Sequence, residues 1–192
     1  MAEQTREQGP LRADAKRNAR NILEAAERLL SADPAATMEQ IAEAAGVART
    51  TIHRRFSSRD ALISSMVEAA WRQVGDAVRD ARPATAPPLV ALHQATANVL
   101  RVKSSWPFAL GQAALDESAA RIQDEVFAAC DLGLRRAQEA GIIRPDADLI
   151  WARRVYIAMM DETVHAAEAA DPDALADRIV DTLLHGVGAK PR

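Results

Sequence analysis

Residues 48–59 carry Arg49, Arg54, Arg55 and Arg59, interleaved with Thr50 and His53, and hold no acidic side chain. Guanidinium, hydroxyl and imidazole groups at this density suit hydrogen bonding to a polyanion and to base edges. Charge alone does not single that out, because a basic helix face is also what water solvates. The residues just before them narrow the choice. Ala42-x-x-x-Gly46, flanked by Ile41, Ala45, Val47, Ile52 and Phe56, describes two short helices joined by a tight turn. Ala42 is small enough for a close helix crossing, Gly46 supplies a positive φ, and the apolar residues form a small core beneath. Arg49, Thr50, His53 and Arg54 then project outward from the second helix, as a recognition helix presents its side chains to the major groove. A packed helical hairpin has the same glycine spacing. The four arginines, uncompensated by any acid in their own segment, favour DNA.

The elements that must hold this face are legible as helices. Alanine occupies 42 of 192 positions, it is the strongest helix former, and no alternating run of β-formers occurs. Apolar residues at helical spacing predict a first helix over 14–31, ended by Asp33-Pro34. Thr37 with Gln40 is a capping-box pattern opening a helix over 38–44; a third follows over 48–54. Ser58 caps a long fourth helix running to Arg82, where Pro83 stops it. After a linker at 83–88, helices are predicted over 89–103, 107–115, 118–140, 148–170 and 171–185, with Gly141 closing the 118–140 helix. The expected fold is all-α with about nine helices. A three-helix helix-turn-helix domain at 1–62, ordered from about 14, precedes a larger helical domain at 63–192.

In order and spacing, IAEAAGV, TTIHRRF and SSRDAL, with the first helix and its leading basic residues, resemble the tetracycline-repressor (TetR) family of bacterial regulators over about 15–65. GIIRPDAD at 141–148 is similar to the turn before the penultimate helix of many members. The resemblance implies a regulator, a repressor rather than an activator, that binds a double-stranded, pseudo-palindromic operator. It also implies a homodimer formed through the last two helices, and a C-terminal domain that binds a small-molecule effector.

By the same resemblance, Arg49 and Thr50 fall where members touch base edges or nearby phosphates. His53 stands where a tyrosine is usual, and Arg54 lies on the same face. Arg59 replaces the usual lysine at the start of the fourth helix, where it would meet backbone phosphate. Thr37 would donate to phosphate from the start of the second helix. Ala48 departs from the usual serine and removes one hydroxyl; Arg55 is set outside the site.

The effector pocket is expected between 62 and 165, with Trp71, His93, Phe127, Trp151 and Tyr156 as candidates. Trp106 and Phe108 lead the group, because the Trp106-Pro107-Phe108 break leaves two rings beside an irregular opening. Such a pocket is apolar and flat-sided and suits a hydrophobic or aromatic ligand.

Other chemistries fare poorly. Glu162-x-x-His165 has the spacing of di-iron bundles, but those need two such pairs and further carboxylates. No phosphate-binding loop, nucleophile elbow, zinc-protease or dinucleotide motif occurs. Cys130 is the single cysteine, so neither an intramolecular disulfide nor a cysteine-based zinc site is possible. The expectation is therefore no enzyme, no cofactor and no metal. The start of the chain is polar rather than signal-like, and the longest apolar stretches fall short of a membrane span. A cytoplasmic protein with no membrane partner is expected. Its net charge is −3, so a DNA-binding face must come from local clustering rather than overall basicity.

Overall fold

Short polar side chains open most of the helices. Thr37 Oγ1 accepts the Gln40 N–H at 3.3 Å while Gln40 Oε1 accepts the Thr37 N–H at 2.8 Å, completing the capping box. Ser58 Oγ accepts the Ala61 N–H, Asp116 the Ala119 N–H, and Asp148 the N–H groups of Ile150 and Trp151. Each satisfies donors that a helix start leaves unpaired. The structure, a computed structural model, describes residues 8–112, 116–166 and 171–187.

Among the described residues are nine α-helices and no strand. They are α1 (Gln8–Ala32), α2 (Met38–Ala44), α3 (Arg49–Arg55), α4 (Arg59–Asp80), α5 (Pro88–Ser105), α6 (Pro107–Leu110), α7 (Glu117–Glu139), α8 (Leu149–Ala166) and α9 (Pro172–Val187). The all-α expectation is met. Helix α1 begins earlier than residue 14. The sixth helix, expected to run to 115, ends already at Leu110; its expected end at 113–115, that of the eighth at 167–170 and the tail at 1–7 lie outside the described residues.

The chain forms two compact units, 1–67 with 107–114, and 68–106 with 115–192. In the first, α1 packs on α2, α2 on α3 and α1 on α6, around Ile22, Leu30, Ile41, Ile52 and Leu62, all buried. In the second, α5 packs on α9, α7 and α8, and α8 also packs on α7 and α9; Leu100, Leu134, Ile143 and Val180 fill the core. The 83–88 stretch is not a loose linker. Arg136 Nη1 on α7 donates to the carbonyls of Pro83 and Ala86 at 2.7 and 2.9 Å.

Short as it is, α6 belongs to the N-terminal unit and is fastened there by one side chain. Glu27 on α1 is only 3 % exposed. Its carboxylate accepts the backbone N–H of Phe108 at 2.6 Å and of Ala109 at 3.1 Å, and the Ser31 hydroxyl at 3.1 Å. A distant glutamate thus caps α6. Burial pushes the Glu27 carboxyl above its ordinary value, and the hydrogen bonds from Phe108, Ala109 and Ser31 pull the other way without cancelling it.

Glu27→Ala leaves two N–H groups of α6 without their acceptor and should destabilise the protein by about 1–3 kcal/mol. The raised carboxyl also fixes a sign. The folded state holds the proton to higher pH than the unfolded one, so this group's contribution is fully present below the ordinary carboxylate range. It is lost as pH rises through the folded-state value. Glu27→Gln should remove that component, and urea unfolding at several pH values from 4 upward should show a flatter profile than the parent protein.

Candidate nucleic-acid interface

The turn between α2 and α3 is closed by the backbone. Gly46 takes φ +65°, its N–H reaches the Glu43 carbonyl, and the Val47 N–H reaches the Ala42 carbonyl. This is the left-handed helix ending that glycine adopts at least cost. Ile41 and Ile52 are fully buried and Phe56 is 6 % exposed, while Ala45 and Val47 are half-buried. With those residues inside, helical spacing leaves Arg49, Thr50, His53, Arg54 and Arg55 exposed along α3. Ala48 sits at the N-cap of α3 and makes no side-chain cap bond.

The arginines are not all uncompensated, as the segment alone implies. Glu39 on α2 places Oε1 2.8 Å from Arg49 Nη2 and 3.4 Å from His53 Nε2. Its carboxyl is held below the ordinary range, first by its own backbone N–H, then by His53 and Arg49. The acid lies ten residues before Arg49 and meets it only because α2 and α3 cross. A solvent-exposed pair of this kind fixes side-chain direction more than it stabilises the fold.

Arg59 is engaged differently from the outward arginines. It is half-buried, and its Nη2 donates to the Pro34 carbonyl at 2.5 Å and its Nε to the Ala36 carbonyl at 3.3 Å. It braces the turn leading into α2. Thr37 is exposed, and its hydroxyl oxygen is taken up in the capping box.

The candidate effector residues are dispersed. Trp71 and Phe127 meet edge to face, centroids 6.2 Å apart. Tyr156 is buried with its hydroxyl 2.6 Å from Thr96 Oγ1. His93 Nδ1 lies 3.0 Å from an oxygen of Asp177, in an open groove of about 330 Å³ between α5 and α9. Trp151 is 61 % exposed. Trp106 is buried in the C-terminal unit, whereas Phe108 lies in the N-terminal one. A second cleft, of about 360 Å³, opens between α4 and α7 beside Gly75, Ile122, Val126 and Ala129. No group of three or more potential metal-ligating His, Cys, Asp or Glu side chains occurs among the described residues. Glu162 is exposed, and the side chain of His165 lies outside those described. No described helix is long and apolar enough to cross a membrane.

The family model for bacterial regulatory proteins of the tetR family matches residues 22–66. The HTH-type transcriptional repressor LfrR of Mycolicibacterium smegmatis is 30 % identical over 182 residues, covering 92 % of this chain and 94 % of LfrR. The crystal structure of LfrR from Mycobacterium smegmatis in complex with proflavine superposes with a TM-score of 0.73 at 28 % identity, covering 91 % of this chain and 99 % of that one. FadR from Bacillus subtilis in complex with stearoyl-CoA gives 0.72 at 20 % identity, covering 87 % and 98 %, and so supports the fold.

Glu39 sets up a direct test. Glu39→Gln removes a negative charge beside the DNA face and frees Arg49 and His53. Affinity for random-sequence duplex should rise about two- to fivefold, with a smaller gain for a selected operator, so that discrimination falls. Fluorescence anisotropy with both duplexes at matched salt measures this, and equal loss of both affinities would assign Glu39 a purely structural role.

Proposed function

The chain belongs to the TetR family of bacterial transcriptional regulators, and on that footing we propose that it is a cytoplasmic repressor, binding a pseudo-palindromic operator as a homodimer and leaving it when an apolar or aromatic effector binds. The observation that carries the reading is the exposed row Arg49, Thr50, His53 and Arg54 on α3, the second helix of a closed helix-turn-helix. In this reading Arg49 and Thr50 reach base edges and nearby phosphates, while His53, Arg54 and Thr37 reach the backbone. Arg59 contributes through the turn it braces as well as through its charge.

A C2 dimer follows from DNA geometry, since two recognition helices must enter successive major grooves about 34–36 Å apart. Ile150 and Trp151 at the start of α8 are 60 % and 61 % exposed. Large apolar side chains so placed suit burial against the same helix of a second copy. Repression is favoured by the likeness to the repressor LfrR over nearly the whole chain, and an aromatic effector by that protein's complex with proflavine. The mechanism is a coupled equilibrium. An effector releases DNA only by the difference in its affinity for the DNA-competent and DNA-incompetent arrangements, typically about 1–3 kcal/mol. The family is one of regulators, and the site calls for no catalytic step.

Selection from random duplexes should yield an inverted repeat, and sedimentation should give a dimer at micromolar concentration. Proflavine, titrated into the complex, should release DNA. Thr50→Ala should change preference at one operator position by about 1–3 kcal/mol and leave the other positions alone. Recovery of a single half-site by a monomer would overturn the dimeric reading.

A further inference from the structure

Two side chains of α3 share one carboxylate oxygen of α2. Glu39 Oε1 lies 2.8 Å from Arg49 Nη2 and 3.4 Å from His53 Nε2. Arg49 and His53 stand four residues apart on α3, one turn from each other on the same face. Their contacts with Glu39 are unequal. The guanidinium sits at the distance of a charge-assisted hydrogen bond, and the imidazole stands beyond it. The two groups also differ in kind. A guanidinium is charged at any working pH, whereas an imidazole is the side chain whose ordinary charge change falls near neutrality.

We propose that His53 makes DNA binding proton-dependent: when its ring gains a proton, Glu39 turns from Arg49 to His53 and Arg49 is released to the duplex, so that this protein binds DNA more tightly in mildly acidic than in mildly alkaline solution. The inference rests on the DNA-binding reading above and adds to it a regulation of that same face.

The direction follows from the chemistry of the three groups. With His53 neutral, the carboxylate has one full positive charge beside it and holds Arg49. Protonation puts a hydrogen on both ring nitrogens and makes Nε2–H a charged donor to an oxygen already 3.4 Å away. It also sets two positive charges one turn apart on α3, and these repel. Arg49 is the one free to leave, its side chain 72 % exposed against 43 % for His53 and carried on a long stem. The face then holds one more charge and an unengaged guanidinium, and both favour a polyanion. DNA therefore prefers the protonated form and takes up a proton on binding. Affinity falls as pH rises through the titration of the ring.

The groups that face the ring leave this titration to it. Glu39 is held below the ordinary carboxylate range, first by its own backbone N–H and then by His53, so it stays charged throughout. The other acid of α2, the helix packed on α3, is Glu43, an exposed carboxylate. On α3 itself the charged neighbours are Arg49, Arg54 and Arg55, which keep their charge. At the start of α4, Arg59 is turned to the carbonyls of Pro34 and Ala36, and Asp60 follows it. The remaining histidines, His93, His165 and His185, belong to the C-terminal unit.

The test uses the full chain and a random-sequence duplex at one ionic strength, with anisotropy read from about pH 6 to about pH 8. Kd should rise about three- to tenfold across that range. His53→Gln, which never charges, should flatten the profile at or below the parent's alkaline-side affinity. His53→Lys, charged throughout, should flatten it at or above the acid-side affinity. Glu39→Gln should also lose most of the dependence, because Arg49 is then free at every pH. A bare contact between ring and phosphate needs no Glu39 and leaves the profile of that variant intact, so an unchanged profile overturns the exchange. A profile that survives in His53→Gln does the same. Calorimetry with the parent chain at about pH 7, in buffers of different ionisation enthalpy, should find net proton uptake on binding. No uptake, or a Kd indifferent to pH, overturns the proposal even where a variant fails to fold. The two readings fail separately. DNA binding that ignores pH refutes this switch and keeps the regulator, whereas no binding to DNA at any pH refutes the regulator itself.

Discussion

The contact on which the arrangement turns is a carboxylate holding the end of a four-residue helix 81 residues further along the chain. A helix as short as α6 has no stability of its own, because nucleation costs more than its few internal bonds return. It persists because Glu27 accepts its first two free N–H groups inside the N-terminal unit. Covalently, however, α6 is the immediate continuation of α5 and leads on to α7, both of the other unit. The helix-turn-helix therefore shares a core with a piece of chain whose flanks belong to the other unit. Under the proposed function such a contact would give two equilibria a common term, since whatever alters the geometry of α6 alters the surroundings of α1.

The DNA face shows a second use of a carboxylate. Glu39 lies beside two cations that would otherwise sweep freely on exposed stems. In solvent, such a pair contributes little to stability. What it contributes is direction. Arg49 and His53 are gathered on one side of α3 by Glu39, and under the proposed function the ordering cost of binding DNA would fall accordingly. Under the proposed function, phosphate would have to compete with Glu39 for both groups, which would weaken non-specific binding more than binding in which Arg49 gains a base edge. Arg59 extends the same logic to the scaffold, since it fastens the turn that sets the start of α2.

How much of this the sequence discloses follows from the range of the interactions. Capping boxes, helix-ending glycines and prolines at first helical positions act within four residues, and Thr37, Gly46, Gly141 and Pro172 mark their helices where they are found. The recognition face is legible for the same reason, because one short helix carries it and burial of Ile52 and Phe56 dictates which side faces out. Glu39 is not legible, since it meets Arg49 only through the crossing angle of two helices. Nor is Glu27, a residue of ordinary helical surface type whose burial depends on a segment far down the chain.

The effector side is the extreme case of that dependence. Seven aromatic or imidazole side chains are equivalent by composition, and the fold sends them to different ends: a buried hydroxyl pair for Tyr156, an outer groove for His93, an exposed helix start for Trp151, the core for Trp106. Trp71 and Phe127 come together from helices 56 residues apart in sequence. Asp131 and Arg153, which form an ion pair beside Phe127, are charged residues that helical periodicity assigns to a surface. A site made of one side chain from each of several helices leaves no local spacing to read. The DNA face must present its groups in a row to match a regular duplex and so writes a pattern into the sequence. A pocket has only to close around a small molecule, and any set of positions that the fold brings together will serve.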